Sequence, residues 1–263
     1  MKKIGILYVC TGKYSYYFKD FYLSCEKYFL PNMEKIYYVF TDKTNLSNAT
    51  NVKIITQKCQ GFPNDSLFKF EYFISIKEQL ITCDYLFFFN SNALFLDIIN
   101  EDYLPSESDG NLLGAEWVAW KGKHPAYFPY ERRKESKAYI EPGKPPYHYY
   151  MGGVNGGRTK EYLELSETLA RNIRDDYERG IIAKFHDESH INRYFRDHKC
   201  KVLTPEYCMP EEWANGQKLF MMIRNKSKLS NEFDMEKGRN IPFIRKVYDA
   251  YIKKHFVALQ WYL

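Results

Sequence analysis

Asn90-Ser91-Asn92 follows the apolar run Tyr85-Leu86-Phe87-Phe88-Phe89 without a break. A short apolar run that stops abruptly at polar residues reads as a buried parallel strand, and open α/β sheets bind ligands at the carboxyl ends of such strands. Two carboxylates there could hold a divalent cation on a diphosphate. Two amides offer only neutral oxygens, which hard cations accept poorly. The segment therefore reads as a ligand site that works without metal, with a simple Asn-rich turn as the alternative.

His186-Asp187-Glu188-Ser189-His190 is the densest ionisable cluster. Three chemistries fit it. His186 and His190, four apart, would share a helix face and could ligate a metal. Asp187 could instead cap a helix whose dipole favours Glu188 in its first turn. Glu188 could also be a catalytic carboxylate on a cleft wall, steadying an oxocarbenium-like sugar centre. Met151-Gly152-Gly153-Val154-Asn155-Gly156-Gly157 is the second dense motif. So many glycines mean close backbone approach or positive φ, and the preceding Tyr147-His148-Tyr149-Tyr150 favours a strand that a ligand approaches over a floppy turn. The glycine order is that of neither a dinucleotide fingerprint nor a P-loop.

These residues need a frame, and hydropathy supplies one. Strands are expected at 4–10, 36–40, 52–56, 85–89 and 201–204. Amphipathic helices are expected at 14–29, 66–80, 159–179 and 188–198. Alternation of this kind predicts an α/β fold with a mostly parallel sheet covered on both faces. The stretch 125–146 carries five prolines and many charges, as a long active-site loop would.

The chain has 263 residues and a net charge of +5. From Lys218 to Lys254 there are ten Lys/Arg against four Asp/Glu, so the basic surplus lies at the C-terminal end and suits an anionic partner or a solvated basic face. No nucleic-acid motif accompanies it. No run is long and apolar enough to span a membrane. The six cysteines are scattered without a Cys-x-x-Cys pair, which fits a reducing, cytoplasmic setting. Val247, Tyr248, Tyr251, Ile252 and Phe256 make one helical face within 241–263. That segment reads as a basic amphipathic tail, either resting on an anionic membrane surface or docked on the protein.

Taken in order, Tyr37-Tyr38-Val39-Phe40-Thr41-Asp42, Asp84-Tyr85-Leu86, Tyr130-Glu131-Arg132-Arg133 with Ala138-Tyr139-Ile140, Tyr149 to Gly153 with Gly156-Gly157, His186 to His190, and Leu203-Thr204-Pro205-Glu206-Tyr207 resemble glycosyltransferase family 6, the family of the histo-blood-group A/B and α-1,3-galactosyltransferases. The match runs from about residue 4 to 213, without the membrane anchor and stem of the animal enzymes, as in the soluble bacterial branch. The resemblance implies a GT-A fold: one domain over 1–240, with a nucleotide-binding half at 1–95 and an acceptor and catalytic half at 96–240. It implies retaining α-1,3 transfer from a UDP-sugar to a β-galactoside, with a bound oligosaccharide acceptor.

Residue by residue, the resemblance assigns Glu188 as the catalytic carboxylate and Asp187 to the donor sugar's hydroxyls. Val9, Cys10, Thr11 and Tyr14 fall at the uracil and ribose. Lys69 replaces a donor-binding arginine, keeping its charge but not its fork. Asn90 and Asn92 fall on the family's Asp-x-Asp, so no cofactor and no divalent metal is expected. Arg224, Lys226 and Lys228 fall where a basic segment closes over the diphosphate and could offset the missing metal charge. Trp120, His124 and Phe185 fall at the acceptor, for which Fucα1-2Gal is favoured over lactose. Met151, Gly152 and Gly153 line the donor sugar. Gly153 leaves space for an acetamido group and favours UDP-GalNAc, while Met151 points to UDP-Gal. A sugar-binding protein that has lost transferase activity is the remaining alternative.

Overall fold

The structure, a computed structural model, describes residues 2–228 and 254–259. Its strands are β1 (Lys3–Val9), β2 (Glu34–Thr41), β3 (Val52–Thr56), β4 (Tyr85–Phe89), β5 (Ala93–Phe95), β6 (Leu112–Glu116), β7 (Tyr150–Arg158), β8 (Lys201–Leu203), β9 (Met209–Pro210) and β10 (Met221–Ile223). Seven form one sheet in the order β3-β2-β1-β4-β7-β6-β8, and β5-β10-β9 form a small second sheet. In the large sheet β7 runs against its neighbours β4 and β6; every other pairing is parallel. This is the α/β, GT-A-type architecture expected from the sequence.

The continuous apolar strands are explained by two covered faces. Ile4, Ile6, Tyr8, Phe87 and Phe89 pack on one side with Phe18, Phe21 and Cys25 of α1 (Phe18–Tyr28) and with Phe29 just after it. Leu7, Leu86 and Phe88 point the other way, onto Phe70 and Phe73 and onto Tyr162 and Leu169 of α5 (Thr159–Glu178). Each such side chain contributes about 1.5–3 kcal/mol by burial, and alternation along the strand sends successive residues to opposite faces.

Strand positions agree with expectation to within a residue or two, but two helices differ. The helix expected over 14–29 begins as a 3-10 turn at Gly12–Tyr17 before α1. The one expected over 66–80 is three pieces: α2 (Asn64–Leu67), α3 (Lys69–Ile74) and α4 (Lys77–Leu80). Phe68 (φ −96°, ψ 9°) and Ile76 (φ −118°, ψ 22°) leave helical geometry. Those breaks let Leu67, Phe70, Phe73, Ile76 and Leu80 all enter one core while Lys69 turns inward.

The proline-rich loop is largely irregular, yet it carries its own small core of Ala126, Phe128, Tyr130, Ile140 and Tyr149. Most of the expected amphipathic tail, residues 241–253 and 260–263, lies outside the described residues. Within it, the helix Lys254–Leu259 meets the loop through His255, whose Nδ1 is 3.3 Å from Tyr127 Oη. Among the described residues no helix is long and apolar enough to cross a membrane.

Candidate active site

The carboxyl edge of the large sheet gathers most of the residues singled out above. β1 ends at Val9, β4 runs into Asn90-Ser91-Asn92, and β7, being reversed, brings its first residues to the same edge. α6 (His186–Asp197) then starts directly across from Gly152.

None of the four glycines of β7 has a positive φ; close approach explains them instead. A Cβ on Gly152 would lie 2.9 Å from Glu188 Cβ and 3.1 Å from Asp187 Oδ2. A Cβ on Gly153 would lie 2.3 Å from Nδ2 of Asn90 and 2.4 Å from its Cγ. The space expected beside Gly153 for a donor substituent is therefore filled by the Asn90 carboxamide, held there as the Asn90 amide N–H donates to the Gly153 carbonyl at 2.8 Å.

Glu188 is fixed through both oxygens. Tyr149 Oη donates to Oε1 at 2.6 Å and the Gly152 N–H to Oε2 at 2.8 Å. The residue keeps partial solvent contact by surface area, but its carboxyl is packed among protein atoms. Burial pushes its pKa up to about 7, helped by the charge of Asp187 and opposed by the Gly152, Tyr149 and Lys69 interactions. A buried carboxylate poised near neutrality at the carboxyl edge of the sheet is a functional-site candidate.

Asp187 is not a cap. The N-cap position is Phe185, without side-chain capping, while Ser189 Oγ accepts the Phe185 N–H at 3.0 Å. Asp187 instead pairs with Lys69, Nζ to Oδ2 at 2.5 Å, and Lys69 also donates to the Gly152 carbonyl at 3.1 Å. Lys69 is buried against Phe88, 4.0 Å from the ring centroid. It braces Asp187 and Gly152 from behind. His186 has φ 50°, and its ring packs edge-on against Phe62. His190 is buried beside Asp176, Nε2 to Oδ2 at 3.7 Å. The shared helix face expected of the two histidines does not form, because a left-handed first residue leaves the helical spiral.

The Asp-x-Asp positions hold neutral side chains in structural use. Asn92 Nδ2 donates to the Arg224 carbonyl at 2.6 Å, the Arg224 N–H returns a bond to the Asn92 carbonyl at 2.9 Å, and Asn92 Oδ1 is buried without a hydrogen-bond partner. Among the described residues no group of three or more His, Cys, Asp or Glu is arranged to hold a metal ion. This donor set does not fit a hard divalent cation, which needs several charged oxygens.

The remaining expected residues divide. Cys10 is fully buried in the core, its N–H donating to the Phe40 carbonyl and its carbonyl accepting from Thr41 Oγ1, and burial pushes its thiol up to about 12. Thr11 Oγ1 donates to Asp65 at 2.9 Å. Tyr14 and Lys226 come together, the ammonium 4.5 Å from the ring centroid. The Arg224 guanidinium is committed to Asp20 at 2.7 Å and lies over Tyr17; it is not brought to Asn90. Lys228 ends the turn Lys226–Lys228. On the acceptor side, Trp120 stands edge-on to Tyr149 at 6.2 Å, Phe185 is 42% exposed, and His124 Nδ1 accepts the Ala126 N–H, capping the loop's only turn of helix.

Three positioning residues escaped the sequence reading. Tyr149 looked like a strand-end aromatic. Asn192 pins α6 to β7, bonding both the N–H and the carbonyl of Tyr150 and the Glu188 carbonyl. Glu131 accepts the N–H groups of Arg132, Arg133 and Lys184 and the Arg133 guanidinium, fastening the loop to the turn that launches α6. Its place in Tyr-Glu-Arg-Arg was the available signal.

Comparison with known proteins agrees with this geometry. The family model of Glycosyltransferase family 6 matches residues 2–235. The Escherichia coli O-antigen biosynthesis glycosyltransferase WbnI is 34% identical over 229 residues, 86% of this chain and 96% of that protein. The chicken globoside alpha-1,3-N-acetylgalactosaminyltransferase 1 is 29% identical over 83% of this chain and 65% of its own length. The rat histo-blood group ABO system transferase 2 is 29% identical over 84% and 67%. A nucleotide-sugar donor and a glycan acceptor follow from the family. With a match over nearly its whole described length and a carboxylate held at the sheet's carboxyl edge, the chain belongs to glycosyltransferase family 6 and is a hexosyltransferase.

Proposed function

We propose that the chain is a retaining α-1,3-N-acetylgalactosaminyltransferase that moves GalNAc from UDP-GalNAc to a β-galactoside without a divalent metal, Fucα1-2Gal being the favoured acceptor. The observation that carries the reading is Glu188, clamped between the Tyr149 hydroxyl and the Gly152 amide and facing the bare backbone of Gly152-Gly153. An ionised carboxylate so fixed stabilises positive charge as it develops at the donor's anomeric carbon, and it needs no reorganisation to do so. Asp187, braced by Lys69, is available to the sugar hydroxyls. Asn90 stands at the edge that the leaving diphosphate would occupy, Asn92 being committed to the Arg224 backbone, and Lys226, over Tyr14, is a cation of the basic segment on the same side as the β1 end. The linkage and donor are supported by relatives that carry α-1,3-N-acetylgalactosaminyltransferase in their names.

One observation favours a second reading. The Asn90 carboxamide fills the space next to Gly153, which together with Met151 suits UDP-galactose. UDP release measured from UDP-GalNAc and UDP-Gal in excess EDTA, with and without 2′-fucosyllactose, decides between them. A kcat/KM at least as high for UDP-Gal would replace the GalNAc reading. Donor binding without turnover on any galactoside would reduce the chain to a sugar-binding protein.

A further inference from the structure

β7 does not pair evenly with β6. Asn155 stands opposite Gly114, and a regular antiparallel ladder would then set Gly153 opposite Glu116; Tyr150 stands there instead. Ala115 therefore faces the whole of Met151 to Val154, while Val154 keeps its regular place opposite Phe89 on β4. Bulges are common next to active sites, where they re-aim a group out of the ladder. The residue re-aimed here is Gly152, whose N–H holds Glu188 Oε2 at 2.8 Å.

A buried carbonyl turned out of a ladder needs new donors. Gly152 is buried, and its carbonyl takes two: Lys69 Nζ at 3.1 Å and Asn155 Nδ2 at 2.9 Å. Lys69 reaches it from α3 and is shared with Asp187. Asn155 reaches it from the far end of the same bulge. A regular strand would hold Gly152 and Asn155 about 10 Å apart, beyond the reach of so short a side chain, so this bond exists only in the bulged form. Tyr162, on the first turn of α5, orients the amide by donating from Oη to Asn155 Oδ1 at 2.6 Å. With its oxygen taken, the carboxamide presents its N–H₂ to Gly152. Asn155 is 1% and Tyr162 0% exposed, so bulk water does not compete for either bond.

We propose that Asn155, oriented by Tyr162, is a positioning residue for sugar transfer: it fixes the bulge of β7 that aims the Gly152 N–H at Glu188. This rests on the reading of Glu188 as the carboxylate that meets the anomeric carbon, and adds what holds that carboxylate's backbone donor in place.

The pair acts without charge. The ionisable groups around Glu188 are Asp187 on its own helix, Lys69 from α3, Tyr149 just before β7, and the Cys208 thiol. Burial above all raises the pKa of Tyr149 and of Cys208, which stay neutral. Changing Asn155 or Tyr162 alters none of these charges, so a moved Glu188 titration reports the Gly152 N–H.

The test is the Asn155→Leu/Tyr162→Phe double variant, in which both partners become apolar together and neither side chain leaves the other unpaired. Tyr162→Phe alone, the loss of a single hydroxyl, carries the test if the double variant does not fold. Glu188 is titrated in the full chain without substrate by carbon-13 NMR of labelled glutamate, its signal identified by its loss in Glu188→Gln. The parent midpoint is about 7. The double variant is expected to titrate about half to one pH unit higher, the weight of one hydrogen bond. Its kcat should fall about ten- to hundredfold, the cost of a small misplacement, with the KM for the UDP-sugar kept within about twofold. Tyr162→Phe should move both quantities the same way by less. Parental midpoint and kcat in the folded variants would overturn the proposal, as would a lowered melting temperature with neither quantity changed. A raised midpoint in a chain that transfers no sugar would retire the proposed activity and leave Asn155 as the residue that aims the Gly152 N–H.

Discussion

The carboxamide of Asn90 occupies the place where a side chain on Gly153 would begin, its Nδ2 2.3 Å from a Cβ built there. In the proposed reading, Asn90 thereby becomes a wall of the donor-sugar pocket. The two positions are coupled, and a change at either is felt at the other.

Gly153→Ala is therefore expected to do more than narrow a pocket. The new methyl must push Asn90 off its seat, and overpacking of this kind costs about 1–3 kcal/mol. We expect a ten- to hundredfold fall in kcat/KM for UDP-GalNAc, by the corresponding factor of about ten per 1.4 kcal/mol, with a smaller fall for UDP-Gal. Asn90→Ala should relieve the clash, so that the double variant retains more activity than the product of the single effects, with a coupling of about 0.5–3 kcal/mol, as residues in contact show. Additive effects in kcat/KM would mean that Asn90 moves freely in solution.

The metal prediction follows from Asn92. Activity is expected to be unchanged in excess EDTA and to gain little from Mn²⁺. Asn92→Asp should not restore metal use. A carboxylate cannot donate to the Arg224 carbonyl as Asn92 Nδ2 does at 2.6 Å, and it would set a buried charge against a carbonyl oxygen. The expected cost is about 1–3 kcal/mol of stability for the lost bond and unpaired group, read as a lowered denaturation midpoint. A large Mn²⁺ stimulation of the unaltered chain would refute the reading of the asparagines.

Glu188 ties activity to pH. The ionised form is the one that stabilises a cationic transition state, and the group titrates at about 7. The rate should therefore climb from pH 5, pass its half-maximum at about 7 and level off at about pH 8. Tyr149 lowers that pKa by donating to the carboxylate, so Tyr149→Phe should move the rising limb to higher pH as well as lowering kcat. A limb that stays in place would show that the hydroxyl does not bear on the carboxylate.

The same carboxylate bears on stability in the opposite sense. Its folded pKa is raised above the unfolded value, so folding is favoured at low pH, and that advantage is lost as pH rises from about 4.5 to about 7. The shift corresponds to about 3–3.5 kcal/mol at 1.36 kcal/mol per unit. Glu188→Gln should remove the loss: the Gln carbonyl can accept the Gly152 N–H while its amide donates to Tyr149 Oη. We expect at least about a hundredfold fall in kcat, the range for a lost electrostatic stabiliser, together with a higher melting temperature at pH 8 than the parent and no such gain at pH 4. Near-parental turnover would make Glu188 a helix-end residue.

Much of this frame was legible in the sequence. Tyr85–Phe89 reads as a buried strand because it is apolar at every position, and the polar stop at Asn90 marks its ligand-facing end. What was not legible depended on contacts made at a distance. β6, Leu112–Glu116, contains Gly114 where a Cβ would strike Phe195 and Tyr150 at 2.8 and 2.9 Å; that small residue weakens the strand pattern for a reason found 80 residues away. Lys69 has the helical spacing of a surface residue, the resemblance placed it at the donor, and only the broken helix shows it turned inward to Asp187. The hydroxyl of Tyr149 and the amide of Asn192 are equally silent, because the sequence shows an aromatic and an amide but not their partners.

Glu131 supplies the last prediction. Its carboxylate is buried, and although burial alone would raise its pKa, the bonds from Arg133 and the Lys184 N–H outweigh that and hold it down at about 2. Through Lys184 it fixes the turn that carries Phe185 and starts α6, close in sequence to Glu188, the proposed catalytic carboxylate. In Glu131→Gln an amide N–H₂ must face either the Arg132 and Arg133 N–H groups or the Lys184 N–H and the Arg133 guanidinium, so a donor meets donors on one side or the other. Breaking a buried charged contact in this way costs about 3–5 kcal/mol, and the stability lost should be largest above pH 4.5, shrinking as pH falls towards 2 and the parent carboxylate itself becomes protonated. A purely structural role would lower the melting temperature alone. Because the turn positions Phe185 and Glu188, kcat is also expected to fall at temperatures well below melting, with the KM for the nucleotide sugar kept within about twofold, as for an interaction felt mainly in the transition state. An unchanged kcat in folded Glu131→Gln would confine Glu131 to holding the loop.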